Sequence, residues 1–186
     1  MDLNRIKNLI PEHAKDLKLN LSSVLTPEGA PGLSREQILA TALASAIASR
    51  NGTLLREIEA IVAAELPETQ VNAARAAASI MGMNNVYYRF AHLVDNEEYG
   101  KLPAKLRMNV IGSPGIDKTD FELYSLAVSA INGCGACVSS HEKVVRKAGV
   151  GAEGVQSAVR IAAVMHGIAV ALESMGGEAD AARAAA

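Results

Sequence analysis

The amino-acid sequence predicts an all-α protein, and three observations support this prediction. Hydrophobic residues make up 49% of the chain but aromatic residues only 3%, so the apolar surface is mostly small aliphatic, and Ala is the best helix former. Apolar residues recur at helical spacing, and no segment shows the sustained β-branched alternation of a strand. A chain of 186 residues suits one domain with a sizeable core or two small halves packed together.

The N-terminal elements follow from helical periodicity and breaker residues. Residues 3–19 carry apolar positions at helical spacing and predict a first helix. The segment 26–33 contains two Pro and two Gly and predicts a loop. Ser34 and Gln37 have the spacing of a capping box, so we expect a helix to begin there and to end near Ser49.

Breaker residues also divide the rest of the chain. Asn51-Gly52 and Pro67 bound a predicted helix over 53–66, and a long Ala-rich helix follows from Glu68 to about Asn85 or beyond. The remaining elements are a short helix plus loop over 102–117, a helix from Thr119 to the turn Asn132-Gly133, a helix from Cys134 to Gly149, and a last helix from about 152 to 174.

A weak internal repeat is found when the sequence is shifted by 84 residues. Ala46-Ile47 then overlays Ala130-Ile131, and Arg50 falls opposite Cys134. A duplicated helical unit explains these matches, and chance similarity between Ala-rich amphipathic helices explains them equally well.

The repeat sets the predicted domain organisation. We expect one domain over 1–186, with repeat halves at about 35–100 and 119–175. Only the second half carries the C-x-x-C pair, so the first half is expected to supply helical scaffold without reactive side chains.

Charge and hydropathy exclude several classes of function. The net charge of −2 would draw the chain neither to nucleic acid nor to an anionic membrane surface. Residues 1–8 lack the apolar run of a signal peptide. The most apolar stretch, 155–172, is interrupted by Gln156, Arg160 and His166, which favours a packed helix over a membrane span. We therefore expect a cytoplasmic protein that binds neither nucleic acid nor membranes.

The reactive side chains concentrate in the segment from Cys134 to His141. In a cytosolic protein, C-x-x-C spacing suggests catalysis or metal binding before a structural disulfide. Cys134 follows an Asn-Gly turn and is expected at a helix N-terminus, where free N–H groups and the helix dipole stabilise a thiolate. Cys134 and Cys137 share one helix face and can close a disulfide. His141 lies one turn beyond Cys137 and can take its proton.

Glu122 lies on the preceding predicted helix. At 1.5 Å per residue, roughly 14 Å separate it from the turn at Asn132-Gly133, and roughly 10 Å separate Cys134 from His141. An antiparallel hairpin would bring Glu122 level with His141, where a carboxylate would orient the imidazole. The pattern Thr119-Asp-Phe-Glu122 equally fits a capping box, in which Glu122 bonds only to the start of its own helix.

Metal binding and an inert buried pair are the alternatives to redox chemistry. Zinc requires four ligands, and Cys134, Cys137 and His141 supply three, with no second C-x-x-C nearby. Iron–sulfur clusters need more than two cysteines, and a thioredoxin fold needs a βαβ context that is missing. The residues favour redox chemistry over metal binding, and metal binding over an inert pair. His166 is expected in the core, and Tyr87 to Phe90 in the core or a subunit interface rather than a substrate pocket.

These motifs resemble a known family. The run from Phe121-Glu122 through Gly133-Cys134-x-x-Cys137-x-x-x-His141 is similar to the signature of the AhpD family of alkyl hydroperoxide reductases. The segments 81–89 and 106–115 resemble other parts of that family, and the similarity covers nearly the whole chain. The resemblance implies an all-α AhpD-like fold with a duplicated helical unit, related to carboxymuconolactone decarboxylases, and a homotrimer.

The resemblance also implies a lipoyl-dependent peroxidase. In the family pattern Cys137 attacks the peroxide and becomes a sulfenic acid, Cys134 donates a proton and closes the disulfide, and Glu122 and His141 form the proton relay. Electrons come from dihydrolipoamide on a lipoyl-bearing acyltransferase and can pass on to the peroxiredoxin AhpC. Some members carry a relay histidine immediately before the second cysteine, where this chain has Ala136.

The sequence therefore predicts an antioxidant thiol peroxidase that reduces ROOH to ROH and water. It requires no bound cofactor or metal, because the sulfurs carry the two electrons, and a dithiol would re-reduce the Cys134–Cys137 disulfide. One alternative is an electron-carrier adaptor for a peroxiredoxin with little peroxidase activity of its own. The other is a decarboxylase-like enzyme, although lactone decarboxylation requires no redox pair.

Overall fold

The computed structural model describes residues 2–176 and confirms the all-α prediction, since the described residues contain no strand. Met1 and 177–186, which belong to the predicted domain 1–186, lie outside the described residues. In chain order the helices are α1 (Asn4–Leu9), α2 (Lys15–Val24), α3 (Arg35–Ala48), α4 (Gly52–Ala63), α5 (Glu68–Leu93), α6 (Glu98–Lys101), α7 (Asn109–Gly112), α8 (Lys118–Ile131), α9 (Gly135–Lys147) and α10 (Ala152–Glu173).

The N-terminal helical segment is interrupted, whereas the sequence predicted one helix over 3–19. Pro11 has no N–H and disfavours helical backbone in the residue before it, and Ile10 accordingly has an extended ψ of 122°. The chain then passes through a 3₁₀ turn, Glu12–Ala14, before α2 begins. The single-helix prediction is wrong because it overlooked the proline.

Four long helices, α3, α5, α8 and α10, pack against one another at the centre of the fold. Every residue of α3 from Ile38 to Ala46 is buried, and so is every residue of α8 from Phe121 to Ser129. A helix that is buried on all sides occupies the middle of a core. The α9 helix packs on the outside of this centre, against α8 and α5.

The α10 helix is the one described helix that is long and apolar enough to cross a membrane by length and composition. It contacts α2, α3 and α8, and 56% of its most apolar stretch is buried inside the protein. The stretch 155–172 is therefore a packed helix in this fold, as the interruptions by polar residues predicted. His166 lies on its exposed face, so the expectation of a core histidine is wrong.

Helices α3, α4 and α5 resemble α8, α9 and α10 in order and approximate length. In the first set, Arg50 has a φ of 60° and Asn51 caps α4; in the second, Gly133 has a φ of 68° and Cys134 caps α9. The structure thus places Asn51 opposite Cys134, and the predicted offset of 84, which paired Arg50 with Cys134, is one residue too long here. The duplication of the unit stays a prediction.

Candidate active site

The turn between α8 and α9 sets the position of the first cysteine. Asn132 ends α8, Gly133 adopts a left-handed φ of 68°, and Cys134 is the N-cap of α9. The left-handed region favours glycine, because a Cβ is disfavoured there. The Cys134 N–H donates to the Ser129 carbonyl oxygen at 3.1 Å, which ties the start of α9 to the end of α8.

Two side chains of α5 hold this turn. The Arg89 guanidinium donates to the Asn132 carbonyl oxygen at 2.6 Å. Buried Asn85 accepts from Asn132 Nδ2 through its Oδ1 and donates to Ser129 Oγ through its Nδ2, each at 2.9 Å. The α5 helix therefore fixes the point from which α9 and its cysteines begin.

Cys134 and Cys137 are joined by a disulfide, with their Cα atoms 5.3 Å apart. The Cys137 N–H donates to Cys134 Sγ at 3.3 Å, so the sulfur acts as the cap of its own helix. Cys134 is 0% exposed, whereas Cys137 is 8% exposed and lines a cavity. The two sulfurs therefore differ in access, which their spacing alone could not reveal.

His141 and Glu122 meet across the hairpin. His141 Nδ1 lies 2.6 Å from Glu122 Oε2, and both side chains are buried. An ionised carboxylate only accepts hydrogen bonds, so the Nδ1 of His141 donates to it and the ring orientation is fixed. The cap of α8 is Asp117, whose side chain accepts from the Thr119 N–H. The capping-box alternative for Glu122 is therefore wrong.

The other ring nitrogen of His141 points to Met81. His141 Nε2 lies 3.2 Å from Met81 Sδ, and Asn85 Nδ2 lies 3.9 Å from the same sulfur. Met81 is 1% exposed and belongs to α5. Because Nδ1 is committed to Glu122, Nε2 is the nitrogen that remains for proton transfer.

A cavity of about 300 Å³ opens beside Cys137 and His141. Its walls come from α5, α8, α9 and the segment around α7, and most of the lining side chains are apolar. The lining residues are Met81, Asn84, Tyr88, Met108, Ile111, Glu122, Ala136, Cys137, Ser140, His141 and Val144. Cys134 is absent from this lining, so Cys137 presents the accessible sulfur.

Three of the lining residues, Met81, Asn84 and Tyr88, are site candidates that sequence reasoning missed. They follow one another at helical spacing and so share one face of α5. Tyr88 lines the cavity, contrary to the expectation that Tyr87 to Phe90 belong to the core or an interface. The segment 81–89 did resemble a family segment, but its spacing does not indicate which face of α5 meets α9.

The residues that could bind a metal are few. In the part of the chain that the structure describes, no three or more His, Cys, Asp or Glu side chains are grouped to hold a metal ion. Cys134 and Cys137, the softest donors, are bonded to each other.

Comparison with known proteins places this arrangement in a family. The chain is 52% identical over 176 residues to the alkyl hydroperoxide reductase AhpD of Bradyrhizobium sp. (strain ORS 278), covering 95% of this chain and 96% of the relative. Its identity to the same-named protein of Gluconacetobacter diazotrophicus is 55%, with 93% of each chain covered. For that of Streptomyces coelicolor it is 53%, covering 94% of this chain and 96% of the relative. The chain belongs to the AhpD family.

A second comparison refines this assignment. Residues 97–176 match the model of the carboxymuconolactone decarboxylase family, which confirms the relationship that the motifs implied. This stretch contains Glu122, Cys134, Cys137 and His141. The α5 wall of the cavity, with Met81, Asn84 and Tyr88, lies outside the matched residues.

Proposed function

We propose that this AhpD-family protein is an antioxidant oxidoreductase, a thiol peroxidase that reduces organic hydroperoxides through Cys137. One observation supports this proposal above all others. Cys137 opens onto an apolar cavity beside His141, while its disulfide partner Cys134 is completely buried behind it. The sulfur that attacks the peroxide must be accessible to substrate, as Cys137 is. The sulfur that only closes the disulfide needs no such access, and Cys134 has none.

The reaction is balanced by the two cysteines alone. The Cys137 thiolate attacks the terminal oxygen of ROOH, the O–O bond breaks, and Cys137 becomes a sulfenic acid while RO⁻ takes a proton to give ROH. The Cys134 thiol then attacks the Cys137 sulfur, water leaves, and the disulfide forms. Two electrons pass from the sulfur pair to the peroxide.

The proton steps use His141 and Glu122. His141 Nε2 takes the proton of the Cys137 thiol, since Nδ1 is bonded to Glu122 at 2.6 Å. The resulting imidazolium is stabilised by the carboxylate and later protonates RO⁻. A positioned base of this kind contributes typically about 10²- to 10⁴-fold in rate.

The cavity walls favour an organic substrate. Met81, Tyr88, Met108, Ile111 and Val144 present apolar surface around the reactive sulfur. An alkyl or aryl group gains roughly 25 cal/mol for each Å² that it buries there, whereas hydrogen peroxide has no such group. The enzyme should therefore prefer organic hydroperoxides over hydrogen peroxide.

Regeneration requires a dithiol, and dihydrolipoamide on a lipoyl-bearing acyltransferase is the reductant that we propose. The incoming thiolate attacks Cys137 Sγ, the accessible sulfur of the disulfide, and Cys134 leaves. The same exchange chemistry would let the reduced protein pass electrons to the peroxiredoxin AhpC. We further propose that these reactions take place in the cytoplasm.

An electron-carrier adaptor with little peroxidase activity is the second candidate function. It is favoured by Ala136, which lines the cavity where some family members carry a further relay histidine. An adaptor needs the disulfide and its accessible sulfur but not rapid attack on a peroxide.

We also propose that the protein is a homotrimer. Val86, Phe90 and Leu93 form an apolar stripe on α5, each at least half exposed, and Tyr99 packs edge-on against Phe90. An exposed apolar patch of this kind marks an interaction surface. Sedimentation should give a trimer for the natural protein and a monomer for Phe90→Glu; a natural protein that is monomeric at micromolar concentration would contradict the proposal.

A rapid-mixing experiment decides between peroxidase and adaptor. The reduced protein is mixed with cumene hydroperoxide, with hydrogen peroxide, or with an oxidised peroxiredoxin, and samples are quenched with an alkylating reagent at intervals. Mass spectrometry of this chain alone then follows the loss of its own Cys134 and Cys137 thiols, because exchange with the peroxiredoxin leaves the total number of thiols unchanged. A peroxidase is oxidised faster by cumene hydroperoxide than by hydrogen peroxide. Oxidation by the peroxiredoxin alone, with no reaction towards either peroxide, would establish the adaptor and overturn the peroxidase.

A further inference from the structure

Asn84 contains a buried polar atom that the fold leaves without a partner. The side chain is 4% exposed, lines the cavity next to Cys137 and His141, and its Oδ1 has no hydrogen bond. Buried polar groups are almost always hydrogen-bonded. A buried group without a partner has given up its hydrogen bonds to water and has gained none in return, which costs free energy. A buried, unpaired acceptor in the wall of a cavity beside a cysteine therefore points to a ligand that donates to it.

The adjacent residue shows what a structural asparagine does on this helix. Asn85 is equally buried, but its side chain bonds to Ser129 Oγ and Asn132 Nδ2 and holds the α8–α9 turn. Its role is complete without a ligand. Asn84, one position earlier, faces the cavity, and its acceptor has no comparable role in the fold.

We propose that Asn84 Oδ1 accepts a hydrogen bond from the terminal O–H of the hydroperoxide and holds the terminal oxygen against Cys137 Sγ. This inference rests on the proposed peroxidase function and assigns a substrate-binding atom to it. A hydroperoxide ROOH has a single donor, the terminal O–H, and the oxygen that bears it is the one that a thiolate attacks. One hydrogen bond therefore binds the substrate and selects the correct oxygen.

The remaining groups of the cavity fit this orientation. With the O–H on Asn84, the R group lies among the apolar walls and the second oxygen is left for His141 Nε2. When Cys137 Sγ attacks, the O–O bond breaks, the electron pair leaves on RO⁻, and the His141 imidazolium donates the proton that gives ROH. The O–H held by Asn84 becomes the O–H of the sulfenic acid, so this hydrogen bond persists through the step.

The test is Asn84→Leu, which has nearly the same volume and no polar atom, compared with Asn85→Leu as the matched control. Both are combined with Cys134→Ser, so that Cys137 is the only thiol of the chain. Oxidation by cumene hydroperoxide and by hydrogen peroxide is measured alongside alkylation by monobromobimane, which has no O–H to donate. Thermal unfolding is recorded for each variant.

We expect Asn84→Leu to slow oxidation by both peroxides by about tenfold, the usual effect of one lost hydrogen bond with a buried partner. Alkylation should be unchanged, and the melting temperature should stay the same or rise, because the substitution removes an unpaired buried acceptor. Asn85→Leu should lower the melting temperature and slow oxidation and alkylation alike. Asn84→Ala, measured in parallel, should reproduce the selective loss if the leucine disturbs the fold.

Two results would overturn the assignment. Oxidation of both Asn84 variants at the rate of the Cys134→Ser parent would show that Asn84 does not bind the peroxide. Equal losses in oxidation and alkylation would show that it acts on the thiol or the fold. If the Cys134→Ser parent reacts with no peroxide, the proposed function itself is refuted. This result is obtained with the parent alone, so it is distinguished from any effect of the Asn84 variants.

Discussion

His141 Nδ1 and Glu122 Oε2 lie 2.6 Å apart across the α8–α9 hairpin, at the end far from its turn. The pair is buried, whereas the ion pairs Lys15–Glu12 and Lys101–Glu97 are exposed to water. A buried imidazole with one nitrogen held by a carboxylate offers only its second nitrogen for chemistry. His141 thus lies one helical turn beyond Cys137, with Nδ1 against Glu122 and Nε2 3.2 Å from Met81 Sδ.

The first prediction concerns this relay. His141→Ala should slow oxidation of the reduced protein by roughly a hundredfold or more, because the positioned base is lost. Glu122→Gln should have a smaller effect in the same direction, since it acts only through His141. The double variant should be no slower than His141→Ala alone. Rapid mixing with cumene hydroperoxide measures all three, and additive effects would show that Glu122 acts independently.

The second prediction separates the two sulfurs. With Cys134→Ser, one equivalent of hydroperoxide should still oxidise the protein and leave a sulfenic acid on Cys137, which dimedone traps and mass spectrometry detects, while turnover stops. With Cys137→Ser, reaction with peroxide should nearly vanish, because Cys134 is completely buried. Rapid oxidation of Cys137→Ser would reverse the assignment.

The third prediction concerns the turn before Cys134. Gly133→Ala should lower the free energy of unfolding by about 1 kcal/mol, because a left-handed φ of 68° disfavours a Cβ although nothing lies within 4 Å of it. Arg50, at the corresponding turn between α3 and α4, has a φ of 60°. Arg50→Gly should be neutral or slightly stabilising. Glycine removes the strain of the left-handed φ in the folded state, and this gain offsets the larger conformational entropy that glycine gives the unfolded chain. Denaturant unfolding measures both, and equal destabilisation would contradict the backbone explanation.

The fourth prediction introduces a histidine immediately before Cys137. Ala136 is half-buried, lines the cavity and immediately precedes Cys137. Ala136→His should speed oxidation by organic hydroperoxide severalfold, because a second imidazole would then stand beside the attacking sulfur. Ala136→Phe is the matched control, having a ring of similar size without a basic nitrogen. A gain with phenylalanine as large as with histidine would attribute the effect to packing.

The fifth prediction concerns pH and stability. Arg35 forms two hydrogen bonds to the Glu65 carboxylate, at 2.9 and 2.8 Å, and these hold the pKa of Glu65 below its ordinary value of 4.5. A lowered pKa in the folded state stabilises the protein above the ordinary pKa, and this stabilisation is lost as the pH falls below it. Glu65→Gln should therefore lower stability by up to about 1 kcal/mol at pH 7 and by less near pH 3. Denaturant unfolding at both values gives the comparison.

Much of the reactive hairpin could be predicted from the sequence, because its constraints are local. Residues four apart on one helix are neighbours in any fold, and a helix rises by a fixed amount per residue. Counting residues from the turn at Asn132-Gly133 therefore predicted that Glu122 and His141 lie at the same level of the hairpin. The capping-box pattern that begins at Thr119 gave a wrong alternative, since the cap of the helix is Asp117, two residues earlier.

The α5 wall could not be predicted in the same way. Which face of α5 meets α9 depends on how helices distant in sequence pack, and α5 is Ala-rich over much of its length, so its periodicity is weak. Asn84 and Asn85 are the same residue side by side, yet one holds a turn and the other faces the cavity. His166 was misplaced for the same reason, since its apolar neighbours did not reveal which face of α10 is exposed.

The unequal access of the two sulfurs has a kinetic consequence. On the proposed mechanism, peroxide and the reducing dithiol both reach Cys137 Sγ through the same cavity, because Cys134 is completely buried. The peroxide reacts with the reduced sulfur and the dithiol with the disulfide, so the first product leaves before the second substrate reacts. Steady-state turnover should therefore follow a ping-pong pattern, with parallel lines in double-reciprocal plots, and an excess of either substrate's inert analogue should compete with both.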